Sequence, residues 1–249
     1  MSVFFTRRGA VPVFDTHLSD FAVGEIVYLN ENNQPIPYII VNQGIPSNSN
    51  LYDSSCDGTW LLRKNLYFDS IVWHSSFNNY KNSNIHSHLN GTFLKLFDSV
   101  TQNAIKQVKL PYINGSGGSN SSVSSGSNGI SAKIFPLSGF EVGGTSSTFY
   151  LVDDDKAGAL VDGAKLEYFL SGTTSEANNR RMAYTEGGTT EAYHLRTIVS
   201  TGSNRIWSVM SYGGITDYAV QASWKVRPAL VLPSTSIFDP ETRLFIGVA

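Results

Sequence analysis

Between Tyr184 and Trp224 the chain gathers Tyr184, Tyr193, His194, Arg196, Asn204, Arg205, Trp207, Tyr212, Tyr218, Gln221 and Trp224 among small residues. Aromatic rings stack on sugar rings, while amide and guanidinium groups hydrogen-bond hydroxyls, so this mixture has the chemistry of a recognition surface. The ligand-binding candidates are Tyr193, Arg196, Asn204, Arg205, Trp207, Tyr212, Tyr218 and Gln221. A competing reading has about half of the aromatics filling a core between hairpins. Trp207, flanked by Ile206 and Ser208, can point either way. A second pattern is spaced along the whole chain. Trp60-Leu-Leu-Arg63, Tyr193-His-Leu-Arg196 and Trp224-Lys-Val-Arg227 each place an aromatic three residues before an arginine.

Other chemistry finds little support. Asp153-Asp154-Asp155 offers oxygen ligands, but three adjacent side chains cannot all converge on one cation and the EF-hand spacing is absent. His17, His74, His86, His88 and His194 are scattered without zinc-ligand spacing. Cys56, the single cysteine, has no base beside it in sequence and cannot form an intrachain disulfide. Gly115-Ser-Gly-Gly118 lacks the Lys-Ser or Lys-Thr of a phosphate loop. Glu141, Asp153, Asp162, Glu167 and Glu191 are available to a glycan hydrolase, which needs two carboxylates at a fixed separation, but no pair is legible in sequence. The expectation is a protein that is not an enzyme, with no cofactor and no metal.

Composition narrows the partners. The chain has 249 residues, 41% hydrophobic and 12% aromatic, which is enough for a globular core. Charged residues make up only 15%, the net charge is -2 and no basic run occurs, which argues against nucleic-acid binding. No apolar run reaches membrane-spanning length and the N-terminus lacks the apolar stretch of a secretory signal, so no membrane is expected and synthesis is expected in a cytoplasm.

Several elements must position these residues. Residues 1–20 read as an arm, with Phe4, Phe5, Val11, Val13 and Phe14 apolar but no local period. The arm is either an edge strand or a docking segment for a neighbouring subunit. Glu25–Leu29 and Ile36–Val41 form a hairpin, and Trp60–Arg63 a short strand. A helix capped by Asn82 or Ser83 carries Ile85, Leu89, Phe93 and Leu96 at helical spacing. A shorter one capped by Asp98 or Ser99 carries Val100, Ala104, Ile105 and Val108. Of the 18 residues 114–131, 16 are Gly, Ser or Asn, so this stretch reads as a mobile insertion. Gly163–Leu170 reads as a short helix. Hairpins follow over Asn204–Met210, Ile215–Val220 and Trp224–Leu232, with Pro228 demanding an edge or a bulge. The fold class is α+β: a twisted antiparallel sheet with two helices and long loops, and residues 21–249 as the domain.

Taken together, Tyr52-Asp-Ser-Ser-Cys-Asp-Gly-Thr-Trp-Leu-Leu-Arg63, Trp73-His-Ser-Ser76, Asn82-Ser-Asn-Ile-His-Ser-His-Leu-Asn-Gly-Thr-Phe93, Ala104-Ile-Lys-Gln-Val-Lys-Leu-Pro-Tyr112, Ala132-Lys-Ile-Phe-Pro-Leu-Ser-Gly-Phe-Glu-Val-Gly143 and Val226-Arg-Pro-Ala-Leu-Val-Leu-Pro233 resemble an uncharacterised domain family. That family is found in bacterial surface proteins and in phages and prophages, and it looks like a relative of the C-type-lectin-like and formylglycine-generating-enzyme fold. The resemblance implies a C-type-lectin-like domain with a loop-rich binding face in the C-terminal half. Family members usually carry Trp-Leu-Arg-Ser-Pro where this chain reads His194-Leu-Arg-Thr-Ile198, so ligand identity does not carry over. The oxidase relatives need a cysteine pair and calcium lectins need Glu-Pro-Asn or Gln-Pro-Asp, and neither is present.

The function expected from these observations is a phage virion structural protein: a decoration, fibre or tail-tip subunit displaying a lectin-like domain for host-surface adhesion. Its partners would be other virion proteins through the N-terminal arm, a bacterial surface glycan or protein, and further copies of itself in a homo-oligomer. The alternative is a purely structural capsid or baseplate stabiliser without a host ligand.

Overall fold

Strand Ile26–Glu31 turns into strand Gln34–Gln43 through Asn32 and Asn33, whose φ angles of 50 and 61° make a two-residue turn of the left-handed kind. The strands run closer to the tip than the sequence suggested, because two asparagines tolerate positive φ without glycine. Pro37 is accommodated opposite Tyr28, whose N–H points away from the pair to the Arg243 carbonyl at 2.9 Å. That pair exchanges no backbone hydrogen bonds, so the missing proline donor costs nothing there. The structure, a computed structural model, describes residues 16–47, 50–114, 121–145, 160–170, 173–200 and 204–249.

Two five-stranded sheets dominate the described residues. The first runs in the order Ile134–Pro136, Pro228–Leu232, Thr59–Arg63, Gln34–Gln43, Ile26–Glu31, all antiparallel. The second runs Ile215–Ala219, Arg205–Val209, Tyr193–Ile198, Ser223–Val226, Tyr67–Val72. It is antiparallel except where Tyr193–Ile198 pairs with Ser223–Val226 in parallel. The architecture is therefore mixed α+β with mostly antiparallel sheets and few helices.

Trp224–Leu232, expected as one strand, is two. Ser223–Val226 belongs to the second sheet and Pro228–Leu232 to the first, and the chain changes sheet at Arg227. Pro228 opens its strand, a place where a missing donor is tolerated. A three-stranded sheet joins Thr16–His17, Ser236–Phe238 and Phe245–Val248. The described end of the expected arm is thus built into the fold with Leu18 buried, while residues 1–15 lie outside the described residues.

Helix α1 (Asn84–His88) is capped by Ser83, whose hydroxyl accepts from His86 N at 3.0 Å. It widens into a π-turn over Leu89–Phe93 and tightens over Leu94–Leu96. Asn90 accounts for the irregularity. Its Nδ2 donates to the His86 carbonyl and to the Ile134 carbonyl, and its Oδ1 accepts from Lys133 N at 2.8 Å, drawing that turn toward a neighbouring strand. Helix α2 (Ser99–Ala104) is capped by Asp98 and ends before the expected limit. Val108 instead begins a strand, Val100 faces solvent at 54% exposure, and Thr101 takes the buried side.

Helix α3 (Thr174–Arg181) was not expected, although Thr173 and Glu176 form a reciprocal capping box. Gly163–Leu170 contains only a single 3-10 turn, Glu167–Phe169. The Gly/Ser-rich stretch also departs from a free spacer among its described residues. Ser122–Ser124 pairs with Tyr112–Asn114, and Ile130–Ala132 pairs with Val108–Leu110. Gly129 permits this return, since a Cβ there would meet the Leu110 carbonyl oxygen at 2.7 Å. No helix among the described residues is long and apolar enough to cross a membrane.

Candidate recognition surface

The second sheet sorts the candidate residues by alternation. Thr216 pairs with Ser208, Ser208 with His194, and His194 with Val226, so Thr216 and Tyr218, His194 and Trp224 share one face. Asp217 pairs with Trp207 and Ala219 with Arg205, which puts the Arg205, Trp207 and Asp217 side chains on the other face. On the first face the His194 and Trp224 rings stack at 5.6 Å and 19°, and Tyr218 leans on Trp224 at 4.2 Å. His194 is fully buried beneath them, and its Nε2 lies 3.2 Å from both the Ile71 and Ala222 carbonyls. Only a protonated Nε2 can satisfy two carbonyl acceptors, which fixes the neutral tautomer. Burial lowers its pKa to about 4, so the floor of the surface is uncharged at neutral pH.

The chain beside this stack is tied to it. His74 N donates to the Val220 carbonyl and Gln221 Nε2 to the Ser75 carbonyl. His74 Nδ1 accepts from both Ser76 N and Phe77 N at 3.0 Å, which folds the loop and sets the His74 and Phe77 rings 5.0 Å apart. Asn204 is exposed, and its carbonyl accepts from Val220 N at 2.9 Å. Tyr218, Trp224, Gln221, Asn204, His74 and Phe77 therefore gather around the Val220–Ala222 turn, with Tyr218 41% and Phe77 51% exposed. Nearby cations are already engaged: Arg205 pairs with Asp217, and Lys225 Nζ donates to the Phe68 carbonyl. The result is a neutral patch of ring faces and amides, suited to stacking on an uncharged ring and hydrogen-bonding around its rim.

A family model described as Domain of unknown function (DUF6273) matches residues 57–234, more than two thirds of the chain. The chain belongs to this family. No curated protein and no solved structure matches it. The DUF6273 segment contains the whole surface patch and all three aromatic-to-arginine motifs. Glu31 and Tyr38, which complete one of those motifs, lie before it.

Those motifs correct part of the sequence reading. Within the DUF6273 domain Tyr193, Arg196 and Trp207 are 2%, 0% and 1% exposed, so three of the eight ligand-binding candidates face the interior. Tyr193 donates its hydroxyl to the Arg181 carbonyl at 2.8 Å. Arg196 makes a bidentate ion pair with Glu141, also fully buried, and donates further to the Pro111, Pro136 and Asp162 carbonyls. Burial alone would lower the Arg196 pKa, but Glu141 holds it above the ordinary value.

The partner arginines do the same work elsewhere. Arg63 pairs with Glu31 at 2.9 Å and donates to the Leu66 carbonyl, and Tyr38 donates its hydroxyl to Glu31 at 2.6 Å. Arg227 donates to the Arg63, Lys64, Arg180 and Arg181 carbonyls and lies 5.9 Å from the Tyr193 ring centre. In each motif the guanidinium is the buried donor that satisfies backbone carbonyls where strands end.

Of the remaining candidates, Asn204, Tyr218 and Gln221 belong to the patch. Arg205 lies on the opposite face. Tyr212, 64% exposed, sits at the far end of the hairpin. Trp224 was gathered with the recognition residues but not among the eight candidates, and His74 and Phe77 were not connected with the patch that they line. The Trp-Lys-Val-Arg spacing drew Trp224 into a structural motif, and no periodicity links residues 74–77 to the 220–222 turn.

Among the carboxylates suggested for glycan cleavage, Glu141 and Asp162 are both fully buried: the Glu141 carboxylate pairs with Arg196, while Asp162 meets Arg196 through its backbone carbonyl and turns its carboxylate to Thr197. Asp153–Asp155 lie outside the described residues. Cys56 is buried, donates to the Lys109 carbonyl, and has its pKa pushed up to about 12 chiefly by burial. Among the described residues no cluster of three or more His, Cys, Asp or Glu is placed to hold a metal ion.

Proposed function

We propose that this protein is a virion structural subunit (a decoration, fibre or tail-tip component of a phage) whose C-type-lectin-like domain adheres to a bacterial surface glycan or protein. The observation that carries the reading is the uncharged cluster of exposed Tyr218, Phe77, Gln221 and Asn204 around half-buried Trp224. Rings stacked on a rigid floor lose little entropy on binding, and amides supply adaptable hydrogen bonds. The mostly antiparallel α+β architecture and the low charged fraction of 15% support the lectin-like and virion parts of the proposal. The N-terminal arm, read from the sequence as residues 1–20, would dock on other virion proteins, and homo-oligomerisation would multiply weak single sites.

The test is binding of a labelled, multimerised form to a panel of intact bacteria, alongside a Tyr218→Ala/Trp224→Ala variant whose fold is checked by circular dichroism. Binding by the parent and not by the variant is expected. Equal binding by both would remove the Tyr218–Trp224 patch from the proposal. Normal adsorption and stability of virions lacking the protein would remove the function itself. Substitutions that weaken particles without changing adsorption would instead favour a structural stabiliser.

A further inference from the structure

Residues 160–170 are laid against strand Tyr193–Ile198 by a cluster with two carboxylates and one guanidinium. Glu141, Asp162 and Arg196 are all fully buried. Glu141 takes most of the donors. Arg196 reaches it through both Nη atoms, Tyr52 donates its hydroxyl at 2.8 Å, and Ser138 N donates at 2.9 Å. Asp162 is met by its own backbone N–H and by a single side-chain hydroxyl, Thr197 Oγ1, at 2.9 Å from Oδ1 and 3.0 Å from Oδ2. Thr197 Oγ1 also accepts from Gly139 N at 2.8 Å. One hydroxyl and one backbone N–H, neither of them charged, leave the lone pairs of a fully buried anion under-satisfied.

The other groups facing the cluster supply no second positive charge. Tyr52 and Cys56 lie on the adjoining loop and Tyr80 beside Arg196, and burial raises the pKa of all three so that they stay neutral. With Asp162 ionised, the described cluster carries one uncompensated negative charge.

We propose that Asp162 is a proton-operated latch: protonated, it holds residues 160–170 on the second sheet, and ionised, it weakens that hold. Burial, with a further contribution from Glu141, raises the Asp162 pKa from 3.8 to about 7 against the opposing pull of Arg196, Thr197 and its own backbone N–H, so the latch works near neutrality. The same segment is fastened by Ala164 N to the Tyr52 hydroxyl and by Leu166 N to the Glu141 carbonyl. Tyr52 and Glu141 are therefore common to the latch and to the backbone fastenings. Beyond the latch, Glu167 and Tyr168 wall a groove of about 380 Å³ with Val23, Gly24 and Arg180, so the proton state sets the shape of that groove.

The test uses the full chain. A ¹³C-carboxyl titration reads Asp162 directly, and hydrogen exchange of residues 160–170, corrected for intrinsic rates, reads the latch between pH 5.5 and 8.5. We expect Asp162 to titrate near neutrality, protection to fall at least about tenfold across that range, and Asp162→Asn to abolish the dependence. Titration below pH 5, or the same loss of protection in Asp162→Asn, would overturn the latch. Should Asp162→Asn not fold, the parent titration and its exchange profile decide the matter alone.

Discussion

At the level of single residues, the spacing of an aromatic three positions before an arginine was legible, but its meaning was not. Residue type does not report burial, and an arginine three residues after an aromatic is equally at home on a ligand or on orphaned carbonyls. Arg196 shows the difference, since it serves Glu141 and three backbone carbonyls with no exposed surface. Arg196→Met leaves Glu141 buried without its counter-charge. We expect a loss of about 3–5 kcal/mol in urea unfolding, partly recovered by adding Glu141→Leu. Tyr218→Ala provides the contrast: a 41% exposed ring that leans on half-buried Trp224 changes stability by less than about 1 kcal/mol, while surface binding is lost. If Tyr218→Ala unfolds the protein instead, the ring belongs to the core and not to a recognition patch.

At the level of elements, local signals were read well where chemistry is local. Of the two cap candidates expected for each helix, Ser83 and Asp98 do the capping, and the paired apolar runs before and after Asn32 form the expected hairpin. Failures came where a distant element decides the outcome. Asn90 distorts its helix because it bonds a strand 44 residues away. Tyr193–Ile198 and Ser223–Val226 pair in parallel, an arrangement no adjacent-hairpin reading can find. Helix α3 was missed for a different reason, since its capping box was present but its sequence Thr-Ser-Glu-Ala-Asn-Asn-Arg-Arg has almost no apolar face to mark it.

The fit of α3 against the 210–214 turn gives an element-scale prediction. Gly213 has φ +81°, and a Cβ there would overlap the Asn178 carbonyl oxygen of α3. Arg181 Nε also donates to the Gly213 carbonyl at 2.7 Å. Gly213→Ala therefore carries both backbone strain and a clash, and should cost about 2–4 kcal/mol in a urea titration. Asn33→Gly, at φ 61° in an open turn, should stabilise by about 0.5 kcal/mol in the same measurement.

At the level of the whole molecule, the two large sheets are joined at Arg227, and two buried titratable groups, His194 in the second sheet and Asp162 in the segment packed on it, have opposite effects. His194 is held neutral, its pKa falling from 6.5 in the unfolded chain to about 4 when folded. Its stabilising contribution is complete above pH 6.5 and is lost as pH falls toward 4, because the unfolded chain then binds the extra proton. Asp162 runs the other way, from 3.8 unfolded to about 7 folded. Its contribution is complete below 3.8 and is lost as pH rises through 7, because there the folded protein holds the extra proton. Between roughly pH 4 and 6.5 the two slopes oppose one another, each about one proton steep, so the parent should be nearly flat in stability across that window. The variants separate the terms. Asp162→Asn should gain on the order of 3 kcal/mol as pH rises from 4 to 6.5, and His194→Gln should lose a similar amount over the same interval. Urea unfolding at half-unit pH steps reads all three curves, and parallel curves for parent and variants would show that neither group titrates as its burial demands.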